Sequence, residues 1–115
     1  MRANSPQADG AQDRLRVLLH LRAEDEQALL AAYDNIRHRV AQADGHIVDQ
    51  LLQSIDDPRE WVITSEWETA EHYARWAKSH TVDELAAPII ASSTDRRHLR
   101  YAVRRHTSLP KEVPA

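Results

Sequence analysis

Residues 59–80, REWVITSEWETAEHYARWAKSH, change period half-way along, and that change restricts the chain more than any other feature. The first half alternates: Trp61, Ile63, Ser65 and Trp67 fall on one side of a strand, Val62, Thr64 and Glu66 on the other. Beyond Trp67 the spacing turns helical. Thr69 suits the N-cap, and Glu71 sits in the first turn, where the helix dipole favours an acid. On such a helix Thr69, Tyr73, Trp76 and His80 share one face, with His72 at its margin. All three tryptophans of the chain stand in this stretch. A strand ending in Trp67 that feeds an aromatic and imidazole face predicts a flat, mostly apolar pocket edged by a few polar atoms. The plainer reading is that Trp67, Tyr73 and Trp76 pin the helix to the sheet, the commoner use of aromatics at helical spacing. Histidines in the same face weigh against it, because a buried imidazole needs partners and is suited to moving protons near neutral pH.

The rest of the chain supplies a frame for that unit. Residues 14–22, RLRVLLHLR, read as a strand with Leu15, Val17, Leu19 and Leu21 on one face and Arg16, Leu18 and His20 on the other. The acidic trio at 24–26 opens a helix carrying Leu29, Tyr33, Ile36 and Val40 on one stripe, with Gly45 as its stop. Residues 46–55 form a second strand and Asp56-Asp57-Pro58 a turn, so that residues 59–67 return as a hairpin. A further helical piece spans 81–91, interrupted by Pro88. A last strand spans 97–105, with Leu99, Tyr101 and Val103 on one face. The order β-α-β-β-α-β predicts an α+β, ferredoxin-like fold: a four-stranded antiparallel sheet with helices on one face. One folded domain is expected over 14–106, with a flexible tail at 1–13 and a second tail at 107–115. Leu18 and the alternate apolar residues of the second strand make the open sheet face partly apolar, which predicts a homodimer with two sheets face to face.

Several functions are excluded by composition. The formal charge of −3 is wrong for a nucleic-acid binder, and the local arginine run (Arg96, Arg97, Arg100, Arg104, Arg105) reads as a solvated strand face or an anion contact. With no cysteine there is no disulfide, thiolate metal site or thiol nucleophile. Two isolated glycines make no phosphate loop. The seven histidines show no HxxxH or HxH pair, so no metal site is expected. No apolar run reaches membrane length and the N-terminus lacks a signal core, which predicts a cytoplasmic protein.

Residues 45–79 resemble the antibiotic biosynthesis monooxygenase family of dimeric α/β-barrel proteins. Its pattern is a Gly before the second strand, an acidic-Pro hairpin turn, a strand ending in Glu-Trp and an aromatic six residues after that Trp. These are Gly45, Asp57-Pro58, Glu66-Trp67 and Tyr73, and the match extends over about 14–105. The resemblance implies oxygenation of electron-rich polycyclic phenols and anthrones from aromatic polyketide pathways. Some such enzymes use no metal or organic cofactor and pass an electron from the deprotonated substrate to O2. Relatives that cleave a ring of angucycline-type substrates use reduced flavin (FADH2), which would bring in a flavin reductase. This chain also departs from the family. His46 stands where an aromatic is usual, Ile63 where some members carry Asn, and residues 85–87 lack the His that haem-degrading members need, so no haem is implied.

The leading expectation is therefore a polyketide-tailoring oxygenase. Trp67, Trp76, Ile63 and Leu18 would bind a flat polycyclic substrate, Tyr73 would donate to a substrate oxygen, and His46, His72 or His80 would be the base. The alternatives are a polyketide cyclase using the same acid–base groups without oxygen, and a non-catalytic dimeric binding module.

Overall fold

The computed structural model describes residues 13–109, apart from the side chains of residues 80–82. The tails expected at 1–13 and 107–115 therefore fall largely outside the described residues. The elements are β1 (Leu15–Arg22), α1 (Glu26–Val40), β2 (His46–Gln53), β3 (Glu60–Trp67), α2 (Ala70–Ala77), α3 (His80–Ala91) and β4 (Thr94–Ala102). The strands make one antiparallel sheet in the order β2-β3-β1-β4, the ferredoxin-like arrangement with a third helix added.

Register decides what the sheet presents on each face. Leu15, Val17 and Leu19 pair with Trp67, Ser65 and Ile63 on one side and with Ala102, Arg100 and His98 on the other. Side chains alternate, so these rows share the face that the helices cover. Leu18 pairs with Thr64 and Leu99, and Arg16 with Glu66 and Tyr101, on the opposite face. Glu66 is buried there between Arg14 and Arg16, which both donate to its carboxylate. The main core lies between sheet and helices, around Leu21, Leu29, Ala32, Ile36, Trp61, Leu85 and Ile89.

Five boundaries differ from the sequence expectation, each for an identifiable reason. Helix α1 is capped by Asp25, which accepts from Ala28 N, and it ends at Val40. Gly45 is thus not its stop but the entry to β2, with φ +88. Its missing side chain admits His72, whose Cγ lies 2.3 Å from where a Cβ would stand. β2 ends at Gln53 because Ser54 Oγ accepts from Asp56 N and Asp57 N and turns the chain. The helix expected to run through His80 breaks at Ser79. Lys78 N and Ser79 N close the last turn on Ala74 O and Trp76 O, and Ser79 is extended before α3 begins. Pro88 does not interrupt α3, because only one N–H is lost near its end while Ser92 and Ser93 hydroxyls bind the Pro88 and Ile89 carbonyls. β4 begins at Thr94 rather than Arg97 and stops where β1 runs out, at Leu15 opposite Ala102. Among the described residues no helix is long and apolar enough to cross a membrane.

Candidate functional site

A cavity of about 360 Å³ lies between the sheet and all three helices. Its floor is Val17, Leu19, Ile63, Ser65 and Trp67, and its roof comes from Ile36 and Val40 of α1, Tyr73 and Trp76 of α2, and Ile89 of α3. The lining is mostly apolar, and apart from Ser65 in the floor the polar groups sit at its two ends.

At the β4 edge, Tyr73 Oη and His98 Nε2 are 2.9 Å apart. The helix that Thr69 caps carries Tyr73 over the sheet, and β4 brings His98 up beside it. Burial holds the Tyr73 hydroxyl above the ordinary phenol range, against a smaller opposing pull from Arg100. His98 and Arg96 are exposed, so this end is the mouth. Arg96 is tied down, its Nη1 donating to Ile90 O, Ser93 O and Ser93 Oγ.

At the β2 edge the polar group is Asp49. Its Oδ2 accepts from the Tyr33 hydroxyl, and its Oδ1 lies 3.1 Å from His46 Nε2. That contact is off the line a hydrogen bond needs, so His46 Nε2 is buried without a hydrogen-bond partner. Residues three apart on a regular strand face opposite ways. A bulge at Ile47, where the β2–β3 register slips, turns His46 and Asp49 to the same face. Tyr33 is pushed well above the phenol range, first by burial and then by its bond to Asp49. Between the two ends Trp67 is fully buried, with His46, Tyr73 and Trp76 at ring-centroid distances of 5.3, 5.4 and 5.5 Å.

Of the residues expected at a site, Trp67, Tyr73, Trp76 and Ile63 line this cavity. His46 stands one layer behind it, against Asp49 and Trp67. His72 is elsewhere: its Nδ1 meets Thr69 Oγ1 at 2.7 Å, its Nε2 is 3.8 Å from Asp44 Oδ2, and its ring fills the space over Gly45. It braces the start of α2 against the entry to β2. Leu18 lies on the other face of the sheet, because one residue along a strand inverts the side chain. The side chain of His80 is outside the described residues, and its backbone opens α3 instead of continuing the Tyr73 face. Sequence reasoning missed Tyr33, Asp49 and His98. Tyr33 was legible as part of the buried stripe and His98 as lying on the strand face opposite Leu99 and Tyr101, but nothing local announced the bulge that aims Asp49 or the approach of His98 to Tyr73. Among the described residues no group of three or more His, Asp or Glu is placed to hold a metal ion.

The sequence profile of the family described as antibiotic biosynthesis monooxygenase matches residues 14–88. The chain belongs to that family. It is 40% identical over 103 residues to the 42.8 kDa protein in the whiE locus of Streptomyces coelicolor, covering 88% of this chain and 26% of that one. Protein SchA of Streptomyces halstedii is 38% identical over 100 residues, covering 87% of this chain and 26% of SchA. Polyketide synthase CurD of Streptomyces cyaneus is 36% identical over 99 residues, covering 86% and 26%. The chain thus spans about a quarter of the length of these relatives. Among solved structures, SnoaB, a cofactor-independent oxygenase from Streptomyces nogalater, superposes with a TM-score of 0.75 at 17% identity, covering 86% of this chain and 99% of SnoaB. At that identity the likeness establishes the fold.

Proposed function

We propose that this protein is an oxygenase that tailors an aromatic polyketide, binding a flat polycyclic phenol or anthrone in the cavity below α2. The observation that carries this reading is the Tyr73–His98 pair at the mouth of a mostly apolar cavity walled by Trp67 and Trp76. Membership of the family, and the polyketide connection in the name of the relative CurD, supply the substrate class.

In this reading the substrate hydroxyl docks on Tyr73 Oη. Its proton passes to Tyr73 as the Tyr73 proton passes to His98 Nε2, so the histidine is the base and Tyr73 ends neutral, donating to the new oxyanion. The electron-rich anion gives one electron to O2, the two radicals join as a peroxide anion at the ring carbon, the proton held on His98 returns through Tyr73 to make the hydroperoxide, and loss of water leaves a carbonyl. One O2 is consumed and one water released per CH2 converted to C=O. The apolar walls keep bulk water from the anion.

Resident flavin does not fit this site. The cavity is at the small end of the roughly 300–1,000 Å³ range of ligand pockets and holds one fused ring system, not a flavin beside a polycyclic substrate. The arginine in its lining, Arg96, spends Nη1 on the end of α3. The reading therefore requires neither flavin nor a flavin reductase.

A homodimer is part of the proposal. Val48, Leu52 and Tyr101 are 40%, 44% and 53% exposed on the open sheet face, and a second copy would cover them. Sedimentation velocity of the wild type and of Tyr101→Asp tests it: a monomeric wild type refutes the dimer.

The activity is tested by oxygen uptake with an anthrone, with and without reduced flavin. Uptake that is independent of flavin and lost in His98→Ala supports the reading. Turnover that persists anaerobically would identify a cyclase. Binding without turnover across a panel of anthrones and angucyclinones would leave a binding module.

A further inference from the structure

The carboxylate at the β2 edge of the cavity is not used by the chemistry above, and with Tyr33 it also borders a surface groove on its other side. Asp49 is about nine-tenths buried, as is His46 beside it. A buried carboxylate in an apolar wall is costly unless its oxygens are occupied. Tyr33 occupies Oδ2, while the His46 contact is too poorly aligned to occupy Oδ1. A carboxylate has about four acceptor positions, so acceptor capacity remains on a residue that lines the cavity. The fold invests in this placement: without the bulge at Ile47, His46 and Asp49 would not share a face.

We infer that Asp49, held between Tyr33 and His46, is a substrate-anchoring residue that accepts a hydrogen bond from a hydroxyl on the terminal ring at the β2 edge of the cavity. This rests on the cavity being the substrate site. β2 and β4 are opposite edges of the four-stranded sheet, so three strand spacings, about 14 Å at the backbone, separate Asp49 from His98. Side chains reaching inward from both edges leave a span that a linearly fused system with oxygens at both ends fills. The substrate class is therefore narrower than a flat aromatic: it carries a hydroxyl at the end remote from the reacting oxygen. Asp49 fixes direction, since a ring system entering the other way round would bring no donor to the carboxylate and strand it.

The test is tryptophan-fluorescence titration of the full chain with fluorenone and with its 2-hydroxy derivative, read through Trp67 and Trp76. A hydrogen bond to a charged acceptor predicts about tenfold tighter binding of the hydroxylated probe. Asp49→Ala should remove that preference, so that the two probes bind alike. Asp49→Asn keeps an oxygen for Tyr33 and preserves the packing. It should reduce the preference several-fold, and it decides the matter if the alanine variant does not fold. An undiminished preference in the folded variant, or none in the wild type, overturns the anchor. Oxygen uptake with an anthrone separates this from the function itself. Uptake with no hydroxyl preference overturns the anchor and leaves the oxygenase standing, whereas a preference lost with Asp49 but no uptake supports the anchor and removes the oxygenase.

Discussion

The hydroxyl of Tyr73 and Nε2 of His98 stand 2.9 Å apart although 25 positions separate them in the chain. Neither has another side-chain hydrogen bond among the described residues, so each defines the other's orientation at the cavity mouth. If they act as one proton relay, removing either removes the relay. Tyr73→Phe and His98→Ala should each lower the turnover of an anthrone by about 10²–10⁴-fold, and the double variant little further. Steady-state oxygen uptake measures all three. Multiplicative losses would mean that the two residues act separately.

Alkaline stability should report the buried tyrosines. Tyr33 and Tyr73 both have folded pKa values raised above the ordinary value of 10.0, mainly by burial. The unfolded phenols therefore ionise first. Stability from this source is fully present below about pH 10 and is lost as pH rises from there toward the folded values. Tyr33→Phe gives up the bond to Asp49 and should melt lower at neutral pH, yet lose less on going from about pH 9 to about pH 11 than the wild type. Thermal melts across that window check it, and parallel curves would contradict the assignment.

Legibility in the sequence followed the range of the forces involved. The alternation Trp61–Trp67, the Thr69 cap and the buried stripe of α1 are each decided within a few residues, and all stand in the structure as read. What failed was set at a distance. β4 takes its start and end from its pairing with β1, so Arg97 and Arg105 were poor guides to its limits. His72 looked like a site residue because helix geometry places it near Tyr73, but the space that Gly45 leaves captures it. Asp49 was hidden because period-two reasoning cannot see a bulge. The aromatic wall of the cavity was therefore visible in sequence, and the polar groups Asp49 and His98 at its edges were not.

Glu66 gives an asymmetric prediction. Its side chain is 6% exposed, whereas those of Arg14 and Arg16 are 56% and 36% exposed and keep much of their water. Removing both arginines leaves a buried carboxylate unpaired, whereas neutralising the carboxylate leaves two solvated guanidinium groups. Arg14→Ala with Arg16→Ala should cost about 3 kcal/mol, and Glu66→Gln about 1 kcal/mol. Urea unfolding of the variants compares them, and equal losses would show that Glu66 is not desolvated as described.

Gly45 links the two halves of the site and offers the sharpest structural test. Its φ of +88 disfavours any residue with a Cβ, and that atom would lie 2.3 to 2.5 Å from Cγ, Cβ and Cδ2 of His72. These are not the far end of a flexible chain: His72 Cβ is fixed to α2, whose N-terminus is capped by Thr69. The Gly45 carbonyl also accepts from Glu68 N at 2.8 Å, directly after Trp67, so a shift here moves the entry to both β2 and α2. Gly45→Ala should destabilise by about 2–4 kcal/mol, combining backbone strain with overpacking. Substituting His72→Ala in the same chain removes the ring but not Cβ or the positive φ, so it should recover only part of the loss. Because β2 carries His46 and Asp49 while α2 carries Tyr73, Gly45→Ala should also loosen the binding of flat ligands at temperatures where the variant is still folded. Denaturant unfolding and fluorescence titration of the same samples measure the two effects. A neutral Gly45→Ala would mean that β2 can enter the sheet without the close approach of His72.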